Sequence, residues 1–383
     1  MRPLTILQLI PALESGGAER CVADVSRALA NAGHRSIVAS AGGRLEAQIR
    51  ADGGEHVQLA AGRKSPLVLG VLPSLRRLLL REHIDVVDVH SRLPAWIMQL
   101  VLRTLRHGDR PAIVATVHGL NSSSFYSRVM LRADAVVAVS ESCRQHLQRI
   151  APSTDQRHVR VIRRGVDAAE FPRGWRPTGE WRETFESQFP ELRGRWWLTL
   201  AARLVRTKGH TDLLRLTAAL RQHQMPVQAL VVGDTAGHNE YVAELRRLAS
   251  SLGVAEQLTF AGHREDIRDV YAASAMVLTL SHKPESFGLA TAEALSLGIP
   301  VVGYSHGGTT ELLEACFPEG AVSPGDEAGL ASVARRLLLK RAAAEDNSWS
   351  PVAFPFEKKL MLEQTLRLYE ELASFRRNAS GTP

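Results

Sequence analysis

The chain has 383 residues, of which 45% are apolar and 23% charged, with 47 Lys and Arg against 40 Asp and Glu. That length exceeds what one hydrophobic core fills and predicts two domains. The ordinary composition and well-mixed charge exclude a disordered or fibrous chain. In chain order, short apolar runs predict strands over Leu4–Ile10, Ser36–Ser40, Val86–Asp88, Ile113–Val117, Ala135–Val139 and Val159–Ile162. Amphipathic stretches between them predict helices over Ala18–Ala32, Leu67–Glu82, Ala95–Leu105 and Ser142–Ile150. Residues Phe171–Arg195, rich in Pro, Gly, Trp and charge, lose periodicity and read as a boundary. A second series of strands follows at Trp197–Ala201, Gln228–Val232, Gln257–Ala261, Ala275–Leu280 and Pro300–Tyr304. Its helices fall near Gly209–Gln224, Glu240–Leu252, Ile267–Ala273 and Gly288–Ser296, and one long amphipathic helix closes the chain at Glu357–Arg377.

Strand–helix alternation of this kind implies parallel sheets covered by helices on both faces. The expected organisation is an α/β fold of two doubly wound, Rossmann-like domains facing each other across a cleft. They are residues 1–175, a linker 176–195, residues 196–355, and a C-terminal helix 356–383 crossing back to the first domain. Ligands in such sheets sit beyond the carboxyl ends of the strands.

Charge adds a direction. Residues 1–195 hold 28 basic against 19 acidic groups and residues 196–383 hold 19 against 21, so the halves carry +9 and −2. The basic half predicts an anionic partner, with Arg76, Arg77, Arg81, Arg103, Arg106 and Arg110 as candidate contacts. A nucleic acid is disfavoured because no aromatics interleave with the basic residues. Cys21, Cys143 and Cys316 show no metal spacing and no CxxC pair, which fits a reducing cytosol. The run Leu4–Leu13, interrupted by Thr5, Gln8 and Pro11, is too short for a signal peptide or a membrane span, so any membrane contact is expected to be peripheral.

Three segments can carry chemistry. Gly16 and Gly17, between the first strand and the first helix, let backbone N–H groups and a helix N-terminus approach a phosphate; a plain tight turn would look the same. Arg203 and Lys208, just past a strand of the second series, can meet over one pyrophosphate, with a solvated loop as the plain alternative. In Pro284–Leu295, Glu285 lies in a loop and Glu293 lies eight residues on, about two turns into the next helix. Between them Phe287, Gly288 and Leu289 offer N–H groups at the helix start. Two carboxylates flanking a run of donors suit a molecule with hydroxyls at both ends and phosphates between.

This double-Glu segment resembles the E-x7-E motif of retaining glycosyltransferases of family 4, which have the two-domain GT-B fold. The resemblance runs in order along nearly the whole chain. It takes in Gly16-Gly17-Ala18-Glu19-Arg20, Thr116-Val117-His118-Gly119, Val137-Ala138-Val139-Ser140 and Val161-Ile162-Arg163-Arg164-Gly165-Val166-Asp167. It continues through Arg203-Leu204 to Lys208-Gly209, Val231-Val232-Gly233, Phe260-Ala261-Gly262, Pro300-Val301-Val302 and Gly307-Gly308-Thr309-Thr310-Glu311. Arg164 replaces the family's Asn, Ala202 its Gly before Arg203, and Gly233-Asp234-Thr235 lacks the second Gly of the strand end.

The resemblance implies a role for each residue. Gly16 and Gly17 would lie against the donor phosphates, and Arg203 and Lys208 would neutralise the pyrophosphate without a metal or cofactor. Glu285 would bind the donor sugar's hydroxyls beside the N–H groups of Phe287, Gly288 and Leu289. Glu293 would bind the ribose diol, and His118 would sit near the transferred sugar. The implied reaction moves a sugar from a nucleotide-diphosphate sugar, a UDP-sugar in the leading reading, with retention. The wording Ser281–Gly288 with Gly303–Gly308 resembles proteobacterial enzymes of lipopolysaccharide core assembly. The expected acceptor is therefore a glycolipid or lipopolysaccharide at an anionic inner-leaflet surface. Exopolysaccharide or other glycolipid synthesis is the alternative. A nucleotide-sugar epimerase shares the architecture but lacks this spacing of Glu285 and Glu293.

Overall fold

The computed structural model describes residues 2–14, 16–62, 70–152, 158–343 and 354–380. The chain divides into two compact units, residues 1–164 with 359–383, and residues 165–358.

The first unit is built on seven strands: β1 (Thr5–Leu9), β2 (Arg35–Ser40), β3 (Glu55–Gln58), β4 (Val86–Val89), β5 (Ala112–Val117), β6 (Ala135–Ala138) and β7 (Val159–Val161). They form one parallel sheet in the order β3-β2-β1-β4-β5-β6-β7. Both faces of the central strands are buried, which is why they read as continuous apolar runs rather than alternating ones. Helices α1 (Gly17–Asn31), α2 (Glu46–Ala51), α3 (Val71–Arg81), α4 (Arg92–Leu102) and α5 (Glu141–Ile150) connect them. The order reverses between β1 and β4, so the crevice for a ligand opens beyond the carboxyl ends of these strands. His90 and His118 lie just past such ends, and Gly16 stands at the start of the helix that follows β1.

The second unit repeats the plan with β8 (Trp196–Ala201), β9 (Val227–Val232), β10 (Leu258–Gly262), β11 (Met276–Thr279), β12 (Val301–Tyr304) and β13 (Ala321–Val322), in the order β10-β9-β8-β11-β12-β13. Its helices are α6 (Gly179–Gln188), α7 (His210–Gln222), α8 (Asn239–Ser251), α9 (Ile267–Ala273), α10 (Leu289–Leu297), α11 (Gly308–Cys316) and α12 (Glu327–Ala343). The reversal here falls between β8 and β11, the strands that precede Arg203 and Glu285. The chain ends in α13 (Lys358–Ser380), which returns to the first unit. There Met361, Leu368, Tyr369 and Ala373 share one core with Ile6, Leu29 and Val114.

Two expectations change. The boundary falls at residue 164 rather than 175, and residues 176–195 are part of the second unit rather than a linker. Thr178 caps α6 by accepting from the Trp181 N–H, and Phe185 is buried with Leu192, Trp197 and Val270. The segment's Pro and Gly residues bracket this short helix, and they hid its period in the sequence. Counted by unit, the charge asymmetry grows: 27 basic against 16 acidic groups (+11) in the first, and 20 against 24 (−4) in the second. No helix among the described residues is long and apolar enough to cross a membrane.

Candidate active site

In the second unit the sequence-predicted residues converge at the carboxyl edge of the sheet. Lys208 ends a 3-10 turn after β8, and its Nζ lies 2.6 Å from Glu285 Oε1, with both side chains about one quarter exposed. This meeting depends on Gly209, whose φ of +75° starts α7; a Cβ there would run into the carbonyl of Leu280. The loop after β11 is tied down from several sides. His282 N–H donates to the carbonyl of Thr207 at 2.8 Å, and Glu285 bridges Gly307. Tyr304 OH donates to Asp212 Oδ2 at 2.7 Å, and the His282 ring lies 2.8 Å from the same oxygen. Asp212, His282, Tyr304 and His306 were not singled out from the sequence. They hold the loop, His306 by its ring nitrogen 2.7 Å from the Ser281 carbonyl oxygen, and no motif announces that.

Gly288, at φ +97°, starts α10 with no side-chain cap. The first-turn amides after it therefore have no partner within the helix. Phe287 is buried, edge-on to Phe356 at 6.0 Å between ring centres. Glu293 is the fifth residue of α10, just over one turn in rather than two, because the helix begins at Leu289. It is only 8% exposed, which separates it from an ordinary mid-helix surface acid. Arg203 is exposed, without an ion pair among the described residues. A buried carboxylate, an ion-paired Lys and Glu, an available guanidinium and a helix start thus surround one edge of the sheet. The donors and the helix dipole suit an anion, and the carboxylates suit hydroxyl groups.

The first unit contributes a separate group. Gly16 precedes α1, and a Cβ there would press on the Glu19 carboxylate. A Cβ at Gly17 would lie 3.0 Å from Arg164 Nη1. Arg164 Nη2 is 3.0 Å from His118 Nδ1, and His118 Nε2 is 2.8 Å from His90 Nδ1. A guanidinium can only donate, which fixes the tautomers: His118 Nδ1 accepts, His118 Nε2–H donates to His90, and His90 carries its proton on Nε2. That proton faces Asp88 Oδ2 at 3.6 Å, and Asp88 also accepts from Thr116 at 2.9 Å and from Tyr369 OH at 2.6 Å. Burial, then the positive charge of Arg164, holds the His118 imidazole well below its ordinary pKa, and burial lowers His90 as well. His118 is therefore a neutral imidazole with both nitrogens engaged, not an acid at neutral pH. Its partners His90, Asp88 and Arg164 were not among the sequence candidates. Arg164 had been noticed only as a departure from the family pattern.

Comparisons with known proteins place this architecture. Residues 15–170 match the family described as Glycosyltransferase Family 4, and residues 182–350 match Glycosyl transferases group 1. Together they account for most of the chain, which belongs to the family 4 type of glycosyltransferases with the GT-B fold of two Rossmann-like domains. The N-acetyl-alpha-D-glucosaminyl L-malate synthase of Bacillus anthracis is 23% identical over 71% of this chain and 70% of its own. Among curated relatives the matched stretches span 43 to 70% of their length. A glycosyltransferase of Rickettsia africae superposes with a TM-score of 0.84 at 25% identity, covering 97% of this chain and 99% of that one. The Anabaena HepE protein, solved with UDP and glucose, superposes with a TM-score of 0.78 at 21% identity, over 96% and 100%.

Proposed function

We propose that the chain transfers a sugar from a nucleotide-diphosphate donor, a UDP-sugar, to a hydroxyl of a bacterial envelope glycan, with retention of configuration. The observation that carries this reading is the 2.6 Å pair of Lys208 with Glu285, on the loop that leads into the uncapped start of α10, whose fifth residue is the buried Glu293. The donor's diphosphate would lie against Arg203, Lys208 and the amides of Phe287, Gly288 and Leu289. Lys208 would then exchange its partner Glu285 for phosphate, which frees that carboxylate to accept from the sugar's hydroxyls. Glu293 would accept from the ribose diol. Gly16 and Gly17 would offer backbone N–H groups to a phosphate.

The protein acts here by positioning and by stabilising charge on the departing diphosphate, which can itself take the acceptor's proton on the same face. Neutral His118 would orient the sugar rather than protonate it. Arg203 and Lys208 would do the work of a metal, so turnover should withstand EDTA. The excess charge of the first unit supports an acceptor bearing phosphates, a lipopolysaccharide core at the inner leaflet of the cytoplasmic membrane.

The test is a panel of UDP, GDP and ADP sugars scored by thermal shift and by release of free nucleotide. Stabilisation by one donor should fall about 10²-fold or more in affinity or turnover with Lys208→Ala and with Glu293→Ala. Product of inverted configuration would overturn retention. A silent panel would overturn the donor reading.

A further inference from the structure

The amino-terminal edge of the second sheet, opposite the edge that holds Lys208 and Glu285, carries another concentration of charge. Trp196 opens β8 there, and Ala275 and Ile299 stand just ahead of β11 and β12. A two-lobed cleft runs along this edge, one lobe of about 250 Å³ and the other of about 150 Å³. Arg182 and Arg341 line both lobes, Arg195 lines the first, and Arg176 the second. Four arginines thus line these two adjoining lobes in a unit whose net charge is −4.

Among the described residues, their partners leave most of that charge unanswered. Arg182 Nε pairs with Glu186 at 2.9 Å and its guanidinium lies over the Trp197 ring, 5.4 Å from the centroid. Among the described residues, Glu186 is the only carboxylate in an ion pair with any of the four. Arg176 donates to the Trp175 carbonyl at 3.3 Å, and Arg341 reaches the Ala275 carbonyl at 3.5 Å. Burial, then the fields of Arg176 and Arg182, weakens the hold of Arg341 on its proton. The C-terminal dipole of α12 explains a basic residue at position 341, and helical spacing explains the Arg182–Glu186 pair. Neither explains why four arginines line the same two lobes. Four like charges answered by one paired carboxylate among the described residues cost stability that an anion would return.

We propose that this cleft binds a phosphate-bearing anion with two charged ends, a diphosphate or a phosphomonoester carrying a second acid, at a site separate from the sugar-transfer centre. Planar guanidiniums take phosphate oxygens in pairs, and two lobes joined by Arg182 and Arg341 suit two anionic groups on one molecule. The assignment does not depend on the donor reading.

Pyrophosphate and orthophosphate, titrated at ionic strength matched with NaCl, test it by thermal shift and calorimetry. Pyrophosphate should stabilise Lys208→Ala, and the double variant Arg182→Gln/Arg341→Gln should weaken its binding about tenfold or more. Since Arg341 is half-buried, Arg176→Gln/Arg182→Gln, changing two exposed side chains, repeats the test without touching the cleft floor. Sedimentation with phosphatidylglycerol vesicles separates the sources. Vesicle binding that is lost in these variants, without a pyrophosphate response, would assign the phosphate to a lipid headgroup. A pyrophosphate response that vanishes in Lys208→Ala and survives in the arginine variants would overturn the proposal. So would a protein that answers neither pyrophosphate nor vesicles beyond the NaCl control.

Discussion

His118 illustrates how a neighbour decides what a titratable group can do. A lone His after a strand could be acid, base or spectator. Here the Arg164 guanidinium donates to Nδ1 at 3.0 Å, so Nδ1 has no proton and gains none without facing a fixed positive charge. Two-dimensional ¹H–¹⁵N spectra of the histidine side chains should therefore show both His118 and His90 protonated on Nε2. Arg164→Leu removes the second cause of the lowered pKa and leaves burial, so His118 should titrate at higher pH than in the parent while staying below an ordinary His. A parent spectrum with His118 protonated on Nδ1 would sink this assignment. The sequence showed His118 and the carboxylates because their spacing forms motifs. It could not show Asp88 and His90 as His118's support, since that relation crosses from β4 to β5 and exists only when the sheet is assembled.

At the scale of elements, the site rests on helix starts set by glycine. Gly288 holds φ +97° at the start of α10, and a Cβ there would lie 3.1 Å from Thr309 Oγ1. An L side chain in that conformation costs about 1–2 kcal/mol before any crowding is counted. Gly209 is under a harder constraint, with φ +75° and the Leu280 carbonyl in the space of a Cβ. Gly288→Ala should lower the denaturant midpoint modestly and weaken donor binding. Gly209→Ala should do more, because it pushes the Lys208 turn away from Glu285; equal midpoints for both variants and the parent would refute this account. Most strands, most helices and both glycines were legible because apolar runs, amphipathic period and Gly punctuation are local signals, but α11 and the 17-residue α12 were not predicted. The short elements α2, β3, α6 and β13 were not, since each is shorter than the period needed to recognise it or is masked by Pro and Gly. The register of the linker failed for the same reason.

At the scale of the molecule, acid should act on both units through histidines kept neutral by burial. His210 is held at about 4, first by burial and then by the charge of Lys208, while His90 and His118 are also lowered. The unfolded chain takes up these protons near pH 6.5 and the folded chain does not, so stability is full above that pH and falls as pH drops toward 4. Urea midpoints at pH 7.5, 6 and 5 should decline, and His210→Leu should flatten the decline. The connectivity supplies a sharper test. α13 comes last in sequence yet supplies Leu368 and Tyr369 to the first unit's core, and the Tyr369 hydroxyl reaches Asp88, 281 residues earlier. Large-to-small changes at such buried positions cost about 2–5 kcal/mol each, and removing the helix removes several at once. Ending the chain after Lys358 keeps Phe356 in the second unit's core. Hydrogen exchange should then show β1, β4, β5 and β6 losing protection while β8, β9, β11 and β12 keep theirs. Tyr369→Phe, which removes only the hydroxyl, should loosen the Asp88 end of the histidine chain while the core stays packed. Uniform loss across both sheets would mean that the units do not fold as the separate cores described here.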